Sequence, residues 1–200
     1  MPSVLVTAFE PYDRWEANSS WLTLVELTRN MPSEPRLVTR RYPVDFLQAQ
    51  KRLEKDLEGD FDFVLHLGQA PGSGNIRLEA IALNLGSSLK DDPERPNVLV
   101  LDGPLAYRSP LPLSVWADQL RKAGIPARVS FHAGTYLCNA LLYYSLHLAQ
   151  QRGLRTQAAF IHLPLDPSQI AGDRTESPAL PASVSATALR HILADLSRRV

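Results

Sequence analysis

The sequence predicts an α/β fold, a sheet covered by helices in one domain spanning residues 1–200, and three observations lead there. Short apolar runs rich in β-branched residues alternate with longer stretches of helical period. At 200 residues with 44% hydrophobic and 21% charged content, the chain can bury one sizeable core without staples. No internal repeat and no Pro- or Gly-rich linker divides it.

Strands are expected at Ser3–Ala8, Leu37–Arg41, Phe63–Leu67, Leu78–Leu85, Val98–Leu101, Ala127–Phe131 and Ala158–Leu163, each a short run of the residue types that fit a pleated surface. Between the first two, "NSSWLTLVELTRN" opens on N-cap residues and spaces Trp21, Leu24, Val25 and Thr28 along one helical face. Asp45 and Gln48 make a capping-box spacing ahead of Leu53 and Leu57. Ser114–Ala123, Asn139–Arg152 and Ser183–Arg199 complete the helices, with Gly124 and Gly153 placed as C-terminal stops. Residues 86–97 and 164–183 are dense in Gly, Pro, Ser and Asp and read as loops or flaps.

Charge excludes several classes. Twenty-one basic and 21 acidic side chains cancel, and no like-charged run resembles an arm for nucleic acid or an anionic membrane. The opening "MPSVLVTAFEP" lacks a basic n-region, and no later apolar run approaches a spanning length, so a soluble cytoplasmic protein is expected. One cysteine, Cys138, rules out an internal disulfide and fits a reducing compartment.

That cysteine is the first candidate for chemistry. A free Cys packs readily as a small hydrophobe. Cys138, however, falls where a helix should begin, and there free N–H groups and the helix dipole favour a thiolate and could hold an oxyanion. Among the five histidines, His66 and His162 lie in apolar runs near strand ends, where open α/β sheets bind ligands. Glu79 alternates with Ile81, Leu83 and Leu85, so a carboxylate would sit on an apolar strand face and need a partner. A histidine it orients is one such partner, and Arg77 on the same face is another. "GQAPGSGN", residues 68–75, lacks a P-loop lysine and reads as a backbone-rich substrate loop.

With these residues in view, the chain resembles the pyroglutamyl peptidase type I, or pyrrolidone-carboxylate peptidase, family. The likeness runs through "VLVTAFEPYDRWEANSSW", "VLHLGQAPGSGNIRLEAIALNL", "LDGPLAYRSPLPL", "GIPARVSFHAGTYLCNALLYYSLH" and "FIHLPLDPSQ", covering most of residues 3–170. It implies a three-layer α/β/α sandwich with a twisted mixed sheet between helices, assembled as a homodimer or homotetramer, with no metal or organic cofactor. It implies a Cys-His-Glu triad at Cys138, His162 and Glu79, and a substrate pocket at Phe9, Tyr12, Asn18, Gln69, Tyr136 and Leu137. By the same resemblance the substrate is a peptide with an N-terminal pyroglutamate. Such a residue has no free α-amine, so recognition must use the flat ring and its amide edges, which aromatic faces and the backbone of the loop carrying Gln69 can supply.

The chain also departs from the family pattern. Ala80 stands at one family arginine, Leu89 and Lys90 stand near a second, Tyr12 replaces a phenylalanine, and "GQAPGSGN" replaces a G-Q-A-G-G-R-like loop. A hydrolase of shifted acyl specificity, or a binding protein on the same fold, therefore shares the field with the peptidase.

Overall fold

Every residue of Ser3–Phe9 (β1) and of Phe63–Gln69 (β3) is buried, as expected of strands packed on both faces. The computed structural model describes residues 1–88, 92, 94–172 and 176–199. In chain order β1 is followed by the helix Ser19–Arg29 (α1), the strand Arg36–Tyr42 (β2), the helix Phe46–Asp56 (α2), a 3-10 turn at Leu57–Gly59 and then β3. Strands Ile76–Glu79 (β4), Ile81–Leu83 (β5) and Ala106–Arg108 (β6) lead to the helix Leu113–Lys122 (α3) and the strand Ala127–Ser130 (β7). The long helix Leu137–Arg152 (α4), the strand Gln157–Leu163 (β8), the short helix Pro167–Ile170 (α5) and the helix Ala182–Leu196 (α6) complete the described elements.

Local signals start and stop the helices. Asn18 accepts from Ser20 N at the head of α1, and Asp45 Oδ1 accepts from Gln48 N at 2.8 Å at the head of α2. A fully reciprocal capping box forms at α5, between Asp166 and Gln169. Gly153 ends α4 at φ +62°, a left-handed conformation that costs glycine little.

The main sheet runs β2-β1-β3-β8-β4-β7. Its pairs are parallel except β4 against β8, which is antiparallel. One face packs Val4, Val6, Leu65, Leu67, Ile161 and neighbours against α1, α3 and α6, where buried Trp116 Nε1 donates to Asp195 Oδ2 at 2.8 Å. The other face packs Leu5, Val64, Ala158 and Phe160 against α2 and α4. The result is an α/β/α sandwich with a mixed sheet.

Four sequence expectations need correction. Val98–Leu101 is not a strand: Asn84 Oδ1 accepts from Val100 N, Asn84 Nδ2 donates to Val100 O and Gly103 O, and Leu101 is 91% exposed. The expected strand Leu78–Leu85 breaks at Ala80 into β4, in the main sheet, and β5, which pairs with β6 in a separate two-stranded sheet. Helix α4 starts at Leu137, two positions earlier than Asn139, so Cys138 lies inside the first turn. The segment 164–183 is not wholly loop, because it holds α5.

His66 sits in the middle of this sheet with no exposed surface. Thr7 Oγ1 and Ser145 Oγ each lie 2.7 Å from one of its ring nitrogens. Burial pushes its pKa down to about 3 from the ordinary 6.5. Between those values the unfolded chain takes up a proton that the native ring refuses, so this contribution is present above pH 6.5 and is lost as pH falls toward 3. Urea denaturation should therefore show stability declining as pH drops from 6.5 to 5, by at most about 1.4 kcal/mol per pH unit from this group. His66→Gln should flatten that decline, and an unchanged pH slope would exclude His66 as its cause.

Candidate active site

The reversal of β4 against β8 places Arg77 opposite His162 and Glu79 opposite Phe160, so Glu79 reaches His162 along a diagonal of one sheet face. Glu79 Oε1 lies 2.8 Å from His162 Nδ1. Glu79 has no exposed surface and His162 is 7% exposed. Arg77 instead turns its Nε to Ser73 Oγ at 3.1 Å, so of the two partners open to Glu79 in the sequence, histidine takes the place. The second carboxylate oxygen, Oε2, has no hydrogen-bond partner among the described residues.

With Nδ1 engaged by a carboxylate, Nε2 of His162 is left for the sulfur of Cys138. Burial lowers the His162 pKa, but the negative charge of Cys138, a hydrogen bond to it, and the bond and charge of Glu79 outweigh that and raise it to about 9. The ring is therefore held protonated beside the sulfur at neutral pH.

Cys138 is partly exposed and occupies the first turn of α4. The first intrahelical bond runs from Ala140 N to Tyr136 O at 3.2 Å, which leaves the N–H groups of Leu137, Cys138 and Asn139 without acceptors in the helix. The next side chain locks this turn in place. Asn139 is fully buried, its Oδ1 accepts from Leu83 N at 2.8 Å, and its Nδ2 donates to Leu83 O at 2.9 Å and Leu85 O at 2.8 Å. Opposite the sulfur lies Gly68, the register partner of His162 on β3. A Cβ at Gly68 would come within 2.5 Å of the Phe160 ring and 3.2 Å of Cys138 Sγ.

A small cavity opens beside this group, lined by Phe9, Tyr12, Asn18, Val44, Gln69, Tyr136, Leu137 and Cys138. All six residues expected in the substrate pocket thus come together around the cysteine. Asn18 caps α1 and donates from Nδ2 to Glu10 O at 3.0 Å, bracing the loop that carries Tyr12. Tyr12 is pushed up to about 12, first by burial and then by the charge of Cys138, with the Gln69 amide opposing. Its hydroxyl therefore keeps its proton at neutral pH. Tyr136 packs edge-on against Phe46, with ring centroids 5.5 Å apart.

Sequence reasoning missed Val44 and Asn139, and it placed Gly68 in a substrate loop where the structure keeps it in β3, beside the sulfur. The other histidines stand elsewhere: both nitrogens of His66 are engaged, His147 Nδ1 faces Tyr107 Oη at 2.9 Å, His132 and His191 are exposed. Ala80 packs into the core cluster on the sheet face opposite Cys138. Leu89 and Lys90 lie outside the described residues.

Comparison with known proteins gives a consistent result. The chain is 36% identical over 177 residues to pyrrolidone-carboxylate peptidase 1 of Ralstonia nicotianae, covering 86% of this chain and 82% of that one. It is 35% identical over 191 residues to the pyrrolidone-carboxylate peptidase of Pseudomonas fluorescens, covering 92% and 89%. Among solved structures, pyrrolidone carboxyl peptidase from Fervidobacterium islandicum AW-1 superposes with a TM-score of 0.91 at 35% identity, covering 98% of each chain. A single-substitution variant of the pyrrolidone carboxyl peptidase of Pyrococcus furiosus gives 0.88 at 32%, covering 98% and 97%. The pyroglutamyl peptidase profile matches residues 2–198, and with identities above 30% across nearly the whole length the chain belongs to the pyroglutamyl peptidase family.

Proposed function

We propose that the protein is a cysteine peptidase that removes N-terminal pyroglutamate from peptides, using Cys138 as nucleophile, His162 as acid and base, and Glu79 to orient and charge-stabilise the imidazole. One observation carries this reading. The sulfur that faces a carboxylate-held histidine also borders the cavity of Phe9, Tyr12, Gln69 and Tyr136, whose aromatic and amide groups suit a flat lactam.

In the reaction that follows from this geometry, the Cys138 thiolate adds to the carbonyl carbon of the pyroglutamyl residue. The negative charge developing on oxygen is received by free N–H groups in the first turn of α4. Protonated His162 gives its Nε2 proton to the leaving amine, the C–N bond breaks, and a thioester remains. His162, now neutral, takes a proton from water as the water oxygen attacks the thioester. Collapse releases pyroglutamate and returns the thiolate beside a protonated imidazole. Glu79, acceptor only when ionised, keeps Nδ1 protonated throughout, so Nε2 is the nitrogen that exchanges protons.

The protein acts in this reading as a soluble cytoplasmic enzyme, and a single free thiol that must stay reduced supports the location. Among the described residues no helix is long and apolar enough to cross a membrane. Exposed Leu101, Leu105 and Phe131 supply apolar surface in support of assembly as a homodimer or homotetramer.

Substitutions, a prolyl control and pH profiles test the mechanism. Cys138→Ala should abolish release of a fluorophore from a pyroglutamyl amide, and the wild type should leave the prolyl amide uncut, since prolyl lacks the lactam oxygen; efficient prolyl cleavage points to the shifted-specificity hydrolase instead. The alkaline limb of kcat/KM should fall as pH rises through about 9, where His162 loses its proton. In Glu79→Gln that limb should move to lower pH, because the carboxylate is one of the groups that raise the His162 pKa; a limb that stays put would remove Glu79 from the mechanism. Gly68→Ala should cost about 1–3 kcal/mol in denaturant unfolding through forced repacking of buried Phe160 and should lose most activity.

A further inference from the structure

Beyond the cavity wall, Gln169 in α5 makes contacts that its place in a Pro- and Ser-rich segment does not explain. Its Oε1 accepts from Asp166 N at 2.9 Å, closing the helix cap. Its Nε2 donates to Ala17 O at 3.0 Å and to Gln69 Oε1 at 2.7 Å. Gln69 Oε1 also accepts from the backbone N–H of Ser19 at 2.8 Å. A backbone N–H can only donate, so the end of the Gln69 amide turned toward Ser19 and Gln169 must be the oxygen.

The other end is then fixed as well. Gln69 is 5% exposed, and its Nε2 has no partner in hydrogen-bonding geometry among the described residues. It is close enough to the Tyr12 hydroxyl to favour that group's ionisation, and both residues line the cavity. A buried amide N–H without an acceptor is costly unless something arrives to satisfy it.

We propose that Gln169 is a positioning residue for substrate binding: it joins α5 to the N-terminal loop at Ala17 and holds the Gln69 amide with its N–H end toward the cavity, ready for the ring carbonyl of the substrate. This rests on the reading that the cavity takes a pyroglutamyl ring. It also gives the segment 164–183 a task, since α5 is the platform that presents Gln169. Gln169 does not touch substrate and acts through Gln69.

The test separates the two ends of the Gln169 side chain. Gln169→Glu keeps an oxygen for Asp166 N and so keeps the helix cap, but it loses both donations; Gln169→Ala loses everything. Each variant and the wild type would be measured for protection of Cys138 from iodoacetamide by 2-pyrrolidone, for KM and kcat on a pyroglutamyl amide, and for melting midpoint. The expected result is that Gln169→Glu weakens 2-pyrrolidone protection and raises KM by about three- to tenfold, the worth of one hydrogen bond. Its kcat and its alkylation rate without 2-pyrrolidone should stay near wild type. Wild-type KM and protection in Gln169→Glu would overturn the proposal, as would a loss confined to the melting midpoint. A wild type that 2-pyrrolidone fails to protect and that leaves the pyroglutamyl amide intact would overturn the pocket reading itself, and the proposal with it.

Discussion

A carboxylate with no exposed surface must be paired, and the pairing of Glu79 with His162 is the constraint around which the site is arranged. It requires two strands whose side chains meet on one face, and the antiparallel contact of β4 with β8 in an otherwise parallel set of pairs provides them. Because Glu79 claims Nδ1, the ring can face the helix side of the sheet only with Nε2. Because β8 lies between β3 and β4, the same ring comes beside Gly68, whose missing side chain leaves room for the sulfur. The thiol, the imidazole and the carboxylate are thus placed by strand order and by one missing side chain.

The helix that delivers Cys138 is held by a different kind of interaction. Asn139 accepts one hydrogen bond from the Leu83 backbone and donates two to the Leu83 and Leu85 carbonyls, so a side chain stands in for a neighbouring strand. Charge at the site follows from this frame. His66 and His162 lie on adjacent strands, both deeply buried, yet one is held neutral and the other protonated. Hydroxyl partners leave burial unopposed at His66, whereas a carboxylate and a sulfur overcome it at His162.

Much of this was legible in the sequence. The strands β1, β3 and β8 announce themselves as β-branched apolar runs, and the capping residues Asn18 and Asp45 mark their helices. Cys138, Glu79 and His162 each stand out as a reactive group in an apolar context. The family resemblance then chose between His66 and His162, which local sequence does not distinguish, because what separates them is Thr7 and Ser145 on one side and Glu79 on the other, all distant along the chain. The apolar run Val98–Leu101 misled because periodicity counts side chains and does not reveal that Asn84 satisfies the backbone in place of a strand partner. The break at Ala80 stayed hidden for a similar reason: alternation continues through it while the pairing partner changes. Gln169 closes the family-like run "FIHLPLDPSQ", but its role exists only once residues 17, 69 and 166 have come together.

The position of β8 in the sheet has a consequence for biosynthesis. Among the described strands it is the last in chain order, yet it lies at the centre, between β3 and β4, and it carries His162. While the ribosome is still adding residues beyond α4, the nascent chain already holds its thiol but has no imidazole beside it and no carboxylate pair to charge one. In the proposed mechanism, the thiol therefore gains its imidazole only when the central strand seats. In that mechanism, a product truncated before β8 carries the thiol without its acid and base.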